Sequence, residues 1–220
     1  MAAGQITIQL KGVTLEGELS LPATAPGLVL FAHGSGSSRH SPRNRYVADV
    51  LQQAGLGTLL FDLLTEQEEE AEAVTRHLRF DIPFLAKRLK EATLQALDQV
   101  TTRDIKAAYF GSSTGAAAAL VAAAELGETI GAVVSRGGRP DLAGEALERV
   151  TAPTLLIVGG NDIPVISLNE EAFETLRGEK ALRIVPGATH LFEEPGALEK
   201  VARMASEWFS NHLQPMARRS

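Results

Sequence analysis

An α/β fold with a mainly parallel sheet and helices on both faces is what this sequence predicts, and three observations carry that expectation. Apolar residues first alternate with polar ones over two short segments, then switch to six short solid runs. Helical stretches separate those runs, so strand and helix alternate along most of the chain. The length of 220 residues and the 45% hydrophobic content suit one core, which a single domain sustains up to roughly 250 residues. One domain over residues 1–220 is therefore expected.

Gln5 to Leu10 alternates, Gly12 breaks the pattern, and Val13 to Leu21 alternates again before Pro22, the signature of an antiparallel hairpin with one face in solvent. The solid runs that follow are Leu28 to Ala32, Thr58 to Phe61, Ala107 to Phe110, Ala132 to Val134, Thr154 to Val158 and Leu182 to Val185. Strands of that kind are buried on both faces, as in parallel sheets. Eight strands are expected in all. Helices are expected at Tyr46 to Gln53, Phe84 to Val100, Thr114 to Leu126, Leu142 to Val150, Glu170 to Leu176 and Ala197 to His212, where apolar residues recur at three and four. Glu66 to Glu72 holds five Glu in seven residues and reads as a solvated face or loop.

Composition removes several chemistries. With no cysteine there is no disulfide, no thiolate nucleophile and no cysteine-held metal. A net charge of −6, from 21 basic and 27 acidic side chains, offers no overall field for a polyanion, so nucleic acid is not an expected partner. The longest apolar run, Ala116 to Ala124, falls short of the ~18 residues that span a bilayer, and Met1 to Gln5 lacks the basic start of a secretory signal. The expectation is a cytoplasmic protein without membrane partners and without metal or cofactor.

Gly111-Ser112-Ser113-Thr114-Gly115 is the strongest chemical signal, a G-x-S-x-G between a strand run and a helix. Such a turn holds its serine at strained positive φ, where side chains two residues away would collide, so both glycines have a steric reason. Ser113 is the expected nucleophile. A serine needs a base, and the base an orienting acid. His190, in the loop after the last strand run, is the leading base, while His77 and His212 read as surface residues. Asp162, directly after the run Thr154 to Val158, is the leading acid. Asp141 is the runner-up, better suited to capping the helix it precedes. Two N–H donors must hold the oxyanion of a tetrahedral intermediate. The backbone of Thr114 supplies one, and the loop His33-Gly34-Ser35-Gly36-Ser37-Ser38 supplies the other, assigned to Ser35. That loop could also cradle a phosphate, but it lacks the lysine of a P-loop and the third glycine of a dinucleotide fingerprint.

This order of hairpin, parallel strands, serine elbow, Asp162 and His190 resembles the α/β-hydrolase fold over nearly the whole chain. The compact size, the lack of a long cap insertion and the segments Gly159 to Val165 and Gly187 to Phe192 look like the dienelactone hydrolase group. Members of that group use cysteine where this chain has Ser113. The resemblance therefore implies the fold and leaves the substrate open.

Arg39, Arg43 and Arg45, Arg76 and Arg79, and Arg136 and Arg139 fall on three loops expected at the active edge. Arg39, Arg79 and Arg136 are the candidates for holding an anionic substrate group, since a guanidinium grips a carboxylate or phosphate through two hydrogen bonds. Ordinary surface arginines paired with glutamate are the competing reading. The function expected is a serine hydrolase acting on a small ester, lactone or thioester. A non-catalytic binding protein of the same fold and an acyltransferase using the same residues are the alternatives. Oligomeric state is not readable.

Overall fold

The computed structural model describes residues 2–34, 36–100 and 105–213. Eight strands run as β1 (Ala2–Leu10), β2 (Val13–Leu21), β3 (Gly27–Ala32), β4 (Gly57–Phe61), β5 (Lys106–Ser112), β6 (Ile130–Arg136), β7 (Thr154–Gly159) and β8 (Lys180–Val185). They form one sheet in the order β1-β2-β4-β3-β5-β6-β7-β8. β1 and β2 pair antiparallel around Gly12, whose φ of 87° suits a residue without Cβ, and β2 pairs antiparallel to β4. All remaining pairs are parallel. The carboxyl ends of β3 to β8 therefore share one edge, where open α/β sheets place their ligands.

Among the described residues six α-helices cover the sheet: α1 (Pro42–Gln53), α2 (Glu66–Thr75), α3 (Ile82–Val100), α4 (Thr114–Leu126), α5 (Ile163–Thr175) and α6 (Ala197–His212). Because side chains alternate across a strand, each central strand feeds two cores. Leu28, Leu30, Tyr109 and Val133 pack with α3 and α4, while Val29, Phe31, Phe110 and Val134 pack with α1 and α6. α4 is sandwiched, and its run of small alanines lets it lie close to the sheet with residues 114–120 all buried. β8 closes the sheet with Arg183 exposed, a charge that suits an edge, while Ile184 beside it is also exposed.

Three helical expectations needed revision. The Glu-rich run is not a loop: it opens α2, capped by Thr65, whose hydroxyl accepts from Glu68 N–H while Glu68 bonds back to the Thr65 amide. Nor is it all solvated, since Glu72 is 3% exposed. α5 starts at Ile163, well before Glu170, because Pro164 lies in the first turn, where its missing N–H costs nothing. Residues 140–149 form 3₁₀ turns broken by Gly144 (φ 54°) in place of a continuous helix.

Candidate active site

Ser113 sits where β5 turns into α4, with φ 49° and ψ −125°, a conformation costly for any residue with a side chain. Its neighbours explain the glycines. A Cβ on Gly111 would lie 2.5 Å from Ala116 Cα, and one on Gly115 would lie 2.2 Å and 2.5 Å from the carbonyl oxygens of Ala32 and His33. Gly34 is equally constrained, since its Cβ would meet Ser113 Cβ at 2.8 Å. The Ser113 carbonyl accepts from the amides of Ala116 (3.2 Å) and Arg139 (3.0 Å), pinning the turn to the loop after β6. Thr114 opens α4, so its amide lies at a helix N-terminus. Ser35 lies outside the described residues.

Asp162 follows β7 at the N-cap position of α5, yet its side chain caps nothing. Its Oδ2 instead lies 2.7 Å from His190 Nδ1. Hydrogen bonds lace the two loops together: Gly160 N–H to Val185 O (2.8 Å), Asn161 N–H to Ala188 O (2.9 Å) and Asn161 Nδ2 to Gly187 O (2.9 Å). Close approach makes a side chain at 159 impossible, because a Cβ there would fall 2.4 Å from Ala188 O. His190 in turn lies over Gly137, where a Cβ would be 3.1 Å from its carbonyl oxygen. Gly137 follows Arg136, which pairs across the sheet with Ser112, so the histidine loop covers the edge beside the serine. Among the described residues no hydrogen bond joins Ser113 Oγ to His190. The structure thus brings His190 and Asp162 into contact and sets Ser113 at the same edge. Asp141, the runner-up acid, is taken by Arg139 in a two-point ion pair at 2.9 and 2.7 Å.

The three candidate arginines differ in their surroundings. Arg39 is bonded to Asp62 and, at 2.9 Å, to Glu16, and its amide donates to Asp62 Oδ1 at 2.7 Å. Arg79 is bonded to buried Glu72. Burial works against the Glu72 charge, but hydrogen bonds from the Arg79 side chain and the Leu78 and Arg79 amides outweigh it and hold the carboxyl below its ordinary range. Arg136 is 8% exposed, and its side chain has no hydrogen bond or ion pair among the described residues. Burial, with repulsion from Arg43, pulls it down to about 10.

Two supporting groups were not singled out from sequence. His33 accepts from Leu63 N–H at Nε2 (3.0 Å), which leaves the Nδ1 proton to reach Gly34 O (3.0 Å), so a neutral ring braces the loop that approaches Ser113. Arg88 joins Glu68 of α2 to Leu63 O and lies 4.5 Å over the Phe84 ring, tying α2 to α3. Thr65-x-x-Glu68 was the readable sign that a helix begins here. A small cavity of about 20 Å³ beside Gly34 and Thr114 is walled by His33, Leu63, Leu85 and Arg79. It shares Gly36, Leu64 and Glu69 with a wider cleft of about 720 Å³ lined by Glu16, Asp62, Glu66 and Arg39. Burial raises the Glu69 carboxyl above its ordinary value.

The model of the alpha/beta hydrolase domain matches residues 25–210. The chain belongs to the alpha/beta hydrolase family. Within it the protein is dienelactone hydrolase-like: it shares 61% identity and a TM-score of 0.94 with the crystal structure of dienelactone hydrolase from Anabaena variabilis, covering 97% of this chain and 99% of that one. Est1E from Butyrivibrio proteoclasticus has the same fold at 17% identity and a TM-score of 0.75, over 96% and 99% of the two chains. A Mycobacterium tuberculosis protein provisionally named a phosphoribosyl transferase is 57% identical over 201 residues, in both strain H37Rv and strain CDC 1551. The alpha/beta hydrolase chain covers 91% of itself in that match but spans only 44% of the relative's length. Among the described residues no helix is long and apolar enough to cross a membrane.

Proposed function

We propose that this hydrolase cleaves a small ester, lactone or thioester through Ser113, His190 and Asp162, with an acyl-enzyme intermediate. The observation that carries the reading is the strained Ser113 backbone, φ 49°, at the sheet edge where His190 is already held by Asp162. A serine is kept in so unfavourable a conformation when the geometry presents its oxygen to a substrate.

In this reading Ser113 Oγ attacks the carbonyl carbon while its proton passes to His190 Nε2, the ring nitrogen that Asp162 leaves free. Negative charge gathers on the carbonyl oxygen and is met by the amides of Thr114 and Ser35. Collapse of the intermediate breaks the bond to the leaving oxygen or sulfur, which takes the proton from His190. Water, deprotonated by His190, then attacks the acyl carbon, releasing the acid and restoring Ser113.

Phosphoribosyl transfer, carried in the name of a relative more than twice as long, finds little support in this chain. A phosphate in the loop 34–39 would face Glu16, Asp62, Glu66 and Glu69, and the one cation there, Arg39, is already paired.

Intact-mass measurement after fluorophosphonate treatment tests the proposal, followed by p-nitrophenyl esters of graded acyl length. One adduct is expected on the wild type and on Ser112→Ala and none on Ser113→Ala, and the ester series measures the acyl length that the site accepts. A Ser113→Ala protein that still labels or still turns over would refute the choice of nucleophile.

A further inference from the structure

We propose that Arg136, together with Arg43 on the first turn of α1, forms a binding site for a small oxyanion, a carboxylate or a phosphate, beneath the histidine loop. Alternation along β6 places Arg136 on the same face as Ala132 and Val134, which lie in the core shared with α1 and α6. A guanidinium there is taken out of water, at a cost that natural proteins offset with a carboxylate. The other partly buried arginines follow that rule: Arg39, Arg79, Arg88 and Arg139 each hold one. Arg136 alone of this group does not, and its Nε and Nη1 are fully buried with no acceptor.

The neighbourhood adds cationic character. Arg43 lies close enough to repel Arg136, and its own Nε is also buried without a partner. Its Nη1 reaches outward to Glu193 at the rim, 2.9 Å away. α1 begins here with no side-chain cap on Ser41 and no acidic residue in its first turn, so its dipole leaves a further uncompensated positive end. Asn44, on the buried face of that turn, leaves its Oδ1 unpaired and does not answer the charge. Two neighbouring guanidinium groups, one of them on the first turn of a helix that lacks acidic residues there, make a donor set for an oxyanion.

Melting curves of the wild type and of Arg136→Met, in sodium phosphate, sulfate or acetate against chloride at equal ionic strength, test this without requiring turnover, so the result stands apart from the serine-hydrolase reading. The wild-type Tm should rise saturably, by roughly 5–10 °C once the ion is about a hundredfold above its Kd. Arg136→Met should not respond, and in chloride it should melt at or above the wild type because an unanswered charge is gone. Arg43→Met, at a partly exposed position, should show a weakened response and gives the comparison if Arg136→Met does not fold. A matched pair of esters with and without a carboxylate separates the sources of the anion. A charged-to-neutral kcat/KM ratio that falls in Arg136→Met assigns the site to substrate, and an unchanged ratio alongside a wild-type Tm response that Arg136→Met lacks assigns it to a free anion. If the wild type responds to no oxyanion more than the variants do, and the ester ratio is unchanged, the proposal is wrong.

Discussion

Replacing Ser113 by glycine rather than alanine isolates the strain stored at the elbow. Both variants lose Oγ, so both should lose ester turnover, and they differ only in whether a Cβ is forced to φ 49°. Holding a non-glycine residue in such a conformation costs about 1–3 kcal/mol. Glycine recovers that strain but gives the unfolded chain more freedom, which opposes it by about 0.4–1 kcal/mol. The balance favours Ser113→Gly over Ser113→Ala by up to about 2.6 kcal/mol, with a centre of about 1.3 kcal/mol. For a chain of 220 residues that centre is a Tm higher by roughly 3–5 °C. Differential scanning calorimetry of the two variants side by side reads the difference. A Ser113→Gly protein that melts at or below Ser113→Ala would show that the elbow is not strained, and the main argument for Ser113 would fail with it.

Asp162→Asn should keep the fold by circular dichroism and lower kcat by a factor on the order of 10³–10⁴, since the amide stabilises the wrong ring tautomer of His190 and cannot balance its charge; a loss under tenfold would remove Asp162 from the site. Gly115→Ala drives a Cβ against two backbone carbonyls of β3 and its loop, and should cost about 1–3 kcal/mol or more, a Tm fall of roughly 2–12 °C accompanied by loss of turnover. An unchanged Tm would mean that the elbow and β3 are not in contact as described. Glu72 is held below its ordinary carboxylate range in the folded protein, so its ion pair stabilises fully above about pH 4.3 and is lost as pH falls through the lowered folded value. Glu72→Gln should therefore melt below the wild type at pH 7, and the gap should close on acidification; a gap independent of pH would show that the charge on Glu72 plays no part.

Much of the site was legible because its constraints are local. Gly111-Ser112-Ser113-Thr114-Gly115 between a solid apolar run and a helix states both the turn and the reason for its glycines, and the parallel-strand pattern puts residues after each strand at one edge. Local rules failed where a partner was distant. Glu66 to Glu72 reads as solvated until Arg88 and Arg79 arrive from α3 and the preceding turn to neutralise Glu68 and Glu72. Asp162 and Asp141 look alike as residues following a strand, and only the lacing of the loops 159–162 and 185–188 brings one to His190 while Arg139 takes the other.

The sequence by itself determined the α/β alternation, the elbow and the succession Ser113, Asp162, His190, because periodicity and steric exclusion act between near neighbours along the chain. Tertiary structure decided which charges are answered. The arginines on the edge loops look equivalent as text, yet Arg39 and Arg79 meet carboxylates from other segments whereas Arg136, turned inward by strand alternation beneath α1, meets none among the described residues. Electrostatic energy depends on distance and on the surrounding dielectric, and both are set only when separate segments pack.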